Sequence, residues 1–141
     1  MTSAKIERAE TKKTLNWMNS SPITVSPTTS VSTAFQLMSA RHIRRLPVME
    51  GGRLVGILTL GDVRSKAADT NGDEARRIPV AAAMTVHPVS ITPGTSLLEA
   101  ARIMIARKIS GLPVVSEPDN RLVGIITESD IFRAFVADET A

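Results

Sequence analysis

The chain has 141 residues, 43% of them apolar, a formal net charge of +3 and no cysteine. That size and apolar content suit one compact domain or two half-sized ones, and the missing cysteine excludes disulfides and thiolate chemistry. The positive excess is spread along the chain, and only Trp17 and three Phe could stack on bases, so small anions are mildly favoured and nucleic acid is disfavoured.

No apolar run reaches the roughly 20 residues of a membrane-spanning helix, and Met1 to Glu10 lacks the apolar core of a secretion signal. The cytoplasm is the expected compartment. In chain order, residues 1–13 read as a tail, and Arg8 to Met18, with Leu15 and Met18 on one side, predicts a short leading helix. Pro22 and Pro27 bracket an extended run, Ile23 to Ser26. Ser30 caps a helix whose stripe is Val31, Ala34, Phe35 and Met38. Leu46 to Met49 and Leu54 to Leu58 are strands joined at Gly51-Gly52, and Leu60 to Ala67 is a second short helix.

The same order then returns. Thr24-Val-Ser-Pro-Thr-Thr-Ser matches Ser90-Ile-Thr-Pro-Gly-Thr-Ser, and Leu46-Pro-Val matches Leu112-Pro-Val, both at an offset of 66. Leu54-Val-Gly-Ile-Leu-Thr-Leu-Gly-Asp62 matches Leu122-Val-Gly-Ile-Ile-Thr-Glu-Ser-Asp130 at an offset of 68, because the turn at Pro118-Asp-Asn120 is two residues longer. Ser65 to Arg77 reads as a polar linker, Pro79 to Met84 resembles the leading helix, Ser96 caps the stripe Leu97, Ala100, Ala101 and Met104, and Glu128 to Val136 is the closing helix. A unit of this length buries little core alone, so each copy is expected to pack on the other. The strands are expected to bury Val25, Val48, Ile57, Val114 and Ile125.

The order Pro22-Ile-Thr-Val, Leu46-Pro-Val, Leu54 to Asp62, then Pro88-Val-Ser-Ile, Gly111-Leu-Pro-Val-Val and Leu122 to Asp130 resembles a tandem of cystathionine beta-synthase (CBS) domains, over about Thr14 to Asp138. The resemblance implies an α/β (α+β) fold of two β-α-β-β-α motifs packed as a pseudo-twofold pair, a Bateman module. Residues 14–68 would be the first motif, 69–77 the linker and 78–138 the second. It also implies a homodimer through helical faces.

Physical reasoning locates a ligand site where a strand ends and a helix begins, at Thr59-Leu-Gly-Asp62 and Thr127-Glu-Ser-Asp130. Outward N–H groups at a helix start suit phosphate, and a carboxylate suits the two hydroxyls of a ribose. The same Thr and Asp could instead form only a capping box. The family resemblance implies adenosyl ligands in the cleft between motifs, AMP, ADP or ATP, with S-adenosylmethionine as competitor. Carried over, Asp130 and Thr127 mark one site, to which Gly111, whose missing side chain admits a planar base, and Pro113 and His87 are added. Asp62 and Thr59, with Arg45, Pro47 and Ser21, form a weaker one, because Arg45 stands where the second copy has Gly111. Arg44 and Arg45 are the phosphate candidates.

Two well-separated His and no Cys leave no nucleophile with its base, and no metal-ligand spacing occurs, so catalysis is not expected. The leading expectation is a regulatory nucleotide sensor that signals to a separate effector protein. The rivals are a dimerisation module with closed clefts, a nucleic-acid binder using Arg41 to Arg45, and the detached regulatory half of an enzyme or transporter.

Overall fold

In a computed structural model that describes residues 10–68 and 70–140, Ser30 and Ser96 open equivalent helices. Their hydroxyls accept from the N–H groups of Thr33 and Glu99, capping α1 (Val31–Arg41) and α4 (Leu97–Arg107). Each helix ends on a left-handed residue other than glycine, His42 at φ 54° and Lys108 at φ 56°, whose N–H turns back to a last-turn carbonyl. Val31, Ala34 and Met38 form the buried stripe of α1, as Leu97, Ala100 and Met104 do in α4. Phe35, expected on that stripe, is 41% exposed: the stripe follows i, i+3 and i+7 from Val31, which leaves position i+4 at its edge.

The strands follow as antiparallel pairs. β1 (Arg45–Glu50) pairs with β2 (Arg53–Thr59), with a register shift at Val48/Met49; Gly51 and Gly52, at φ 59° and 79°, make the turn. β4 (Gly111–Ser116) pairs with β5 (Arg121–Thr127), shifted at the matching Val114/Val115. The expected strand at Ile23 to Ser26 contracts to one parallel bridge, Val25 to Val48, repeated as Ile91 to Val114. Helices α2 (Leu60–Ala68) and α5 (Glu128–Thr140) leave β2 and β5 without a loop residue, and the linker holds a short turn of helix, α3 (Gly72–Ala75), capped by Asn71. Val25, Val48, Val114 and Ile125 are buried as expected, whereas Ile57 is only half-buried.

The chain divides into two compact units that do not follow the copies end to end. One is Pro22–Pro88, and the other joins the described residues up to Ser21 to those from Val89 onward. The predicted leading helix is a single 3-10 turn, Thr14–Asn16, with Arg8 and Ala9 outside the described residues. This turn packs on the second copy. The N–H and hydroxyl of the fully buried Thr14 both donate to the Thr95 carbonyl, at 2.9 and 2.8 Å, and Asn19 bridges Ile125. In the other unit the 3-10 turn Val80–Ala82 does the same for the first copy: the Val80 N–H donates to Thr29, and β3 (Thr85–Val86) pairs with Gly56 and Ile57.

This exchange explains the glycine of both Leu-Val-Gly-Ile runs. A Cβ on Gly56 would lie 2.6 Å from Met84 Sδ and 3.0 Å from the Thr85 carbonyl oxygen. A Cβ on Gly124 would lie 2.6 Å from Met18 Sδ and 2.8 Å from the Asn19 carbonyl oxygen. A side chain there would push away the segment that completes each sheet. Lys12 holds the incoming segment further, donating to the Ala134 carbonyl at 2.9 Å and pairing with Asp138 at 2.6 Å on α5. A cation there meets the negative end of the α5 dipole.

Candidate ligand site

The two strand-to-helix junctions are alike in backbone and different in charge. Thr59 caps α2: its N–H donates to Asp62 Oδ2 at 2.8 Å, and its Oγ1 accepts from the Asp62 N–H at 3.1 Å. This is a reciprocal capping box, with Asp in the place of the usual Glu. Asp62 Oδ1 has no partner among the described residues. The carboxylate therefore supports the helix with one oxygen and presents the other.

At the second junction the Thr127 N–H donates to Asp130 Oδ2 at 2.8 Å, and the Thr127 hydroxyl donates to the same oxygen at 3.3 Å. Asp130 Oδ1 is in an ion pair with Arg133 Nη2, one turn along α5. The guanidinium also reaches the Trp17 carbonyl at 3.5 Å. Asp130 is buried, while the Arg133 side chain is 63% exposed. Both oxygens of Asp130 thus have partners, and one partner is a solvent-exposed cation on a long stem. The matching position in the first copy is Ser65, which offers no charge.

Cross-strand pairing brings the neighbouring site residues in. Gly111 lies opposite Thr127 and Arg45 opposite Thr59, so the first residue of each hairpin flanks its cap. Pro47 and Pro113 are fully buried, and their carbonyls accept from Val25 and Ile91 at 3.1 Å, which fixes the parallel bridges. Ser21 is exposed, its N–H held by Asn19 Oδ1 at 3.0 Å, in the unit that contains Asp130. His87, exposed with φ 48°, belongs to the unit that contains Asp62.

Arg44 and Arg45 part company at the start of β1, Arg44 standing just before the strand and Arg45 being its first residue. Arg44 lines a cavity on the helix side of its sheet with Met38 and Leu60, whereas Arg45 is the cross-strand neighbour of Thr59. Arg133 was not expected from the sequence. Its signal was available: it stands at i+3 from Asp130 on a helix and has no counterpart in the first copy. Among the described residues no group of three or more His, Asp or Glu could hold a metal ion, and no helix is long and apolar enough to cross a membrane.

A model of the CBS domain matches residues 13–69 and again residues 76–137. The chain belongs to the CBS domain family. Its relatives include an inosine-5'-monophosphate dehydrogenase of Korarchaeum cryptofilum, 42% identical over 110 residues that make up 78% of this chain but 21% of that enzyme. Among solved structures, the CBS domain pair of MJ0100 in complex with 5'-methylthioadenosine and S-adenosyl-L-methionine aligns with a TM-score of 0.78 and 29% identity, over 90% of this chain and 98% of that one. CBSX2 of Arabidopsis thaliana in complex with AMP aligns with a TM-score of 0.80 and 27% identity, over 91% and 98%. The chain is thus a tandem CBS module, and solved members of this fold include complexes with 5'-methylthioadenosine, S-adenosyl-L-methionine and AMP.

Proposed function

We propose that this CBS pair is a regulatory sensor that binds an adenine nucleotide through its strand-to-helix caps, signals to a separate protein by changing conformation, and has its main site at Asp130. The observation that carries this reading is the Asp130–Arg133 pair beside Thr127. Two ribose hydroxyls can replace the guanidinium at Asp130 Oδ1, and the released Arg133 can then meet the phosphate of the same nucleotide. AMP, ADP and ATP satisfy both groups at once. S-adenosylmethionine offers the ribose but sets a positive sulfonium where the nucleotides have their phosphate, and its carboxylate lies farther along the tail, so it is expected to be the weaker ligand beside Arg133. The complex of CBSX2 with AMP and the complex of MJ0100 with S-adenosyl-L-methionine make both ligands fair competitors.

Gly111 supports the same choice of main site. It lies opposite Thr127 without a side chain, so a planar base could approach the strand there, whereas Arg45 occupies the equivalent place beside Thr59. Calorimetric titration of ligand-free protein with AMP, ADP, ATP and S-adenosylmethionine tests the reading. Binding of at least one nucleotide, with S-adenosylmethionine weaker, is expected; no heat and no thermal shift with any adenosine compound would overturn it in favour of an interaction module. Ile105, Phe132 and Phe135 are exposed on α4 and α5, which supports a homodimer through helical faces. Light scattering is expected to give twice the chain mass at micromolar concentration, and a monomer would refute that pairing.

A further inference from the structure

Next to the first cap but lined by neither Thr59 nor Asp62, the first copy has a cavity of about 320 Å³ between α1 and α2. Its wall joins an apolar floor, Phe35, Met38, Ile43 and Leu60, to three basic side chains, His42, Arg44 and Arg64. No carboxylate lines it, and the guanidiniums of Arg44 and Arg64 have no hydrogen bond or ion pair to described residues. Both guanidiniums are exposed beside a half-exposed aromatic ring and are not engaged by the described residues, so each fork is available to a planar or tetrahedral oxyanion.

The second copy does not repeat this chemistry. At the places matching Arg44, Leu60 and Arg64 it has Ser110, Glu128 and Phe132, so both guanidiniums are gone and a carboxylate has arrived. The backbone is nevertheless conserved between them: the Leu60 N–H donates to the Arg44 carbonyl at 2.8 Å, and the Glu128 N–H donates to the Ser110 carbonyl at 3.0 Å. The basic wall is therefore a property of these side chains and not a requirement of the fold.

We infer that the cavity between α1 and α2 is a second ligand site, separate from the nucleotide caps, for a small organic anion: an aromatic or branched apolar body bearing a carboxylate or phosphate. The body would lie against Phe35, Met38 and Leu60, and the head would meet Arg44 and Arg64. The volume is at the small end of ligand pockets, roughly 300–1,000 Å³, and favours one ring with its head group over a whole nucleotide.

The test is methyl NMR of the full-length chain, following Met38, Ile43 and Leu60 during titration with phenyl phosphate, benzoate, inorganic phosphate and benzyl alcohol. Phenyl phosphate or benzoate is expected to shift these methyls saturably, while inorganic phosphate and benzyl alcohol leave them in place; whichever aryl anion binds tells phosphate from carboxylate. The double variant Arg44→Ala, Arg64→Ala should weaken that binding at least about tenfold. Both side chains are exposed, so the variant keeps its fold, which a methyl spectrum unchanged outside the cavity checks. Asp62→Ala and Asp130→Ala should leave the aryl-anion titration unchanged, which separates this site from the nucleotide reading. No shift with either aryl anion up to about 10 mM, equal binding by the double variant, or equal binding of benzyl alcohol or inorganic phosphate would overturn the inference.

Discussion

The junction at Asp62 and the junction at Asp130 begin from the same residues in the same places, yet they finish with different electrostatics. In both, a Thr at the end of a strand gives its N–H to an Asp three positions on, at 2.8 Å. In the first copy one carboxylate oxygen then remains open, and in the second it holds Arg133. One residue outside the repeated motif, Ser65 against Arg133, converts a structural cap into a cap that carries its own counter-ion. Duplication preserved the scaffold, and the chemistry diverged one helical turn away from it.

The largest effect that follows is on ligand binding at the second junction. Asp130→Ala is expected to weaken AMP by thirtyfold or more, because losing charge-assisted hydrogen bonds to ribose in a mostly buried site costs on the order of 2 to 4 kcal/mol. The cap itself is worth about 1 kcal/mol, so the variant still folds. Asp62→Ala is expected to cost less, since Arg45 stands beside that cap. Calorimetry on both variants checks this, and equal losses would mean that the two junctions are functionally equivalent.

Where the two copies are mechanically alike, they are expected to respond alike. Gly56→Ala and Gly124→Ala should each destabilise the protein by about 1 to 3 kcal/mol, because a Cβ at either place meets a backbone carbonyl of the exchanged segment and not only a flexible Met. Chemical denaturation measures both. A loss confined to one of them would show that only that copy depends on its incoming segment.

The exchange itself marks the limit of what sequence reveals here. The offsets of 66 and 68 made the repeat, the hairpins, the serine caps and the Thr and Asp pairs legible, because each depends on local spacing. That Thr14 to Asn19 would dock on β5, and Val80 to Val86 on β2, was not legible, because the two receiving strands present nearly identical edges. Phe35 was misread because a stripe read at i+3 and i+4 is wider than the face α1 actually buries. Separation of Arg44 from Arg45 was not legible either, because it depends on β1 beginning at Arg45 and leaving Arg44 in the bend before it.

Arg133 gives a smaller but more selective test. Removing it frees Asp130 Oδ1 for ribose and removes the cation offered to phosphate, so the two consequences have opposite signs. Arg133→Ala is expected to weaken AMP by about tenfold, the loss of one charge-assisted contact, while adenosine and S-adenosylmethionine bind as well as before or better. Competition titrations of the three ligands check this. A uniform loss would make Arg133 a clasp for the Trp17 segment, which it also touches, and not a selector of phosphate.

The smallest expected effect is the transfer of that residue to the other copy. Ser65 is exposed on α2 at the position that matches Arg133, so Ser65→Arg places a guanidinium one turn from Asp62 without disturbing the core. An i, i+3 pair on a helix surface is worth about 0.2 to 0.5 kcal/mol, and the change in stability should stay within that range. The binding measurement belongs in an Asp130→Ala background, where only the first junction can take up AMP. There Ser65→Arg should tighten AMP by a few-fold and leave adenosine unchanged, because the added cation meets only the phosphate. If AMP is not tightened, the difference between the junctions lies in the strand residue opposite each Thr. Arg45→Gly in the same background is then expected to recover binding, since it gives the first junction the open strand that Gly111 gives the second.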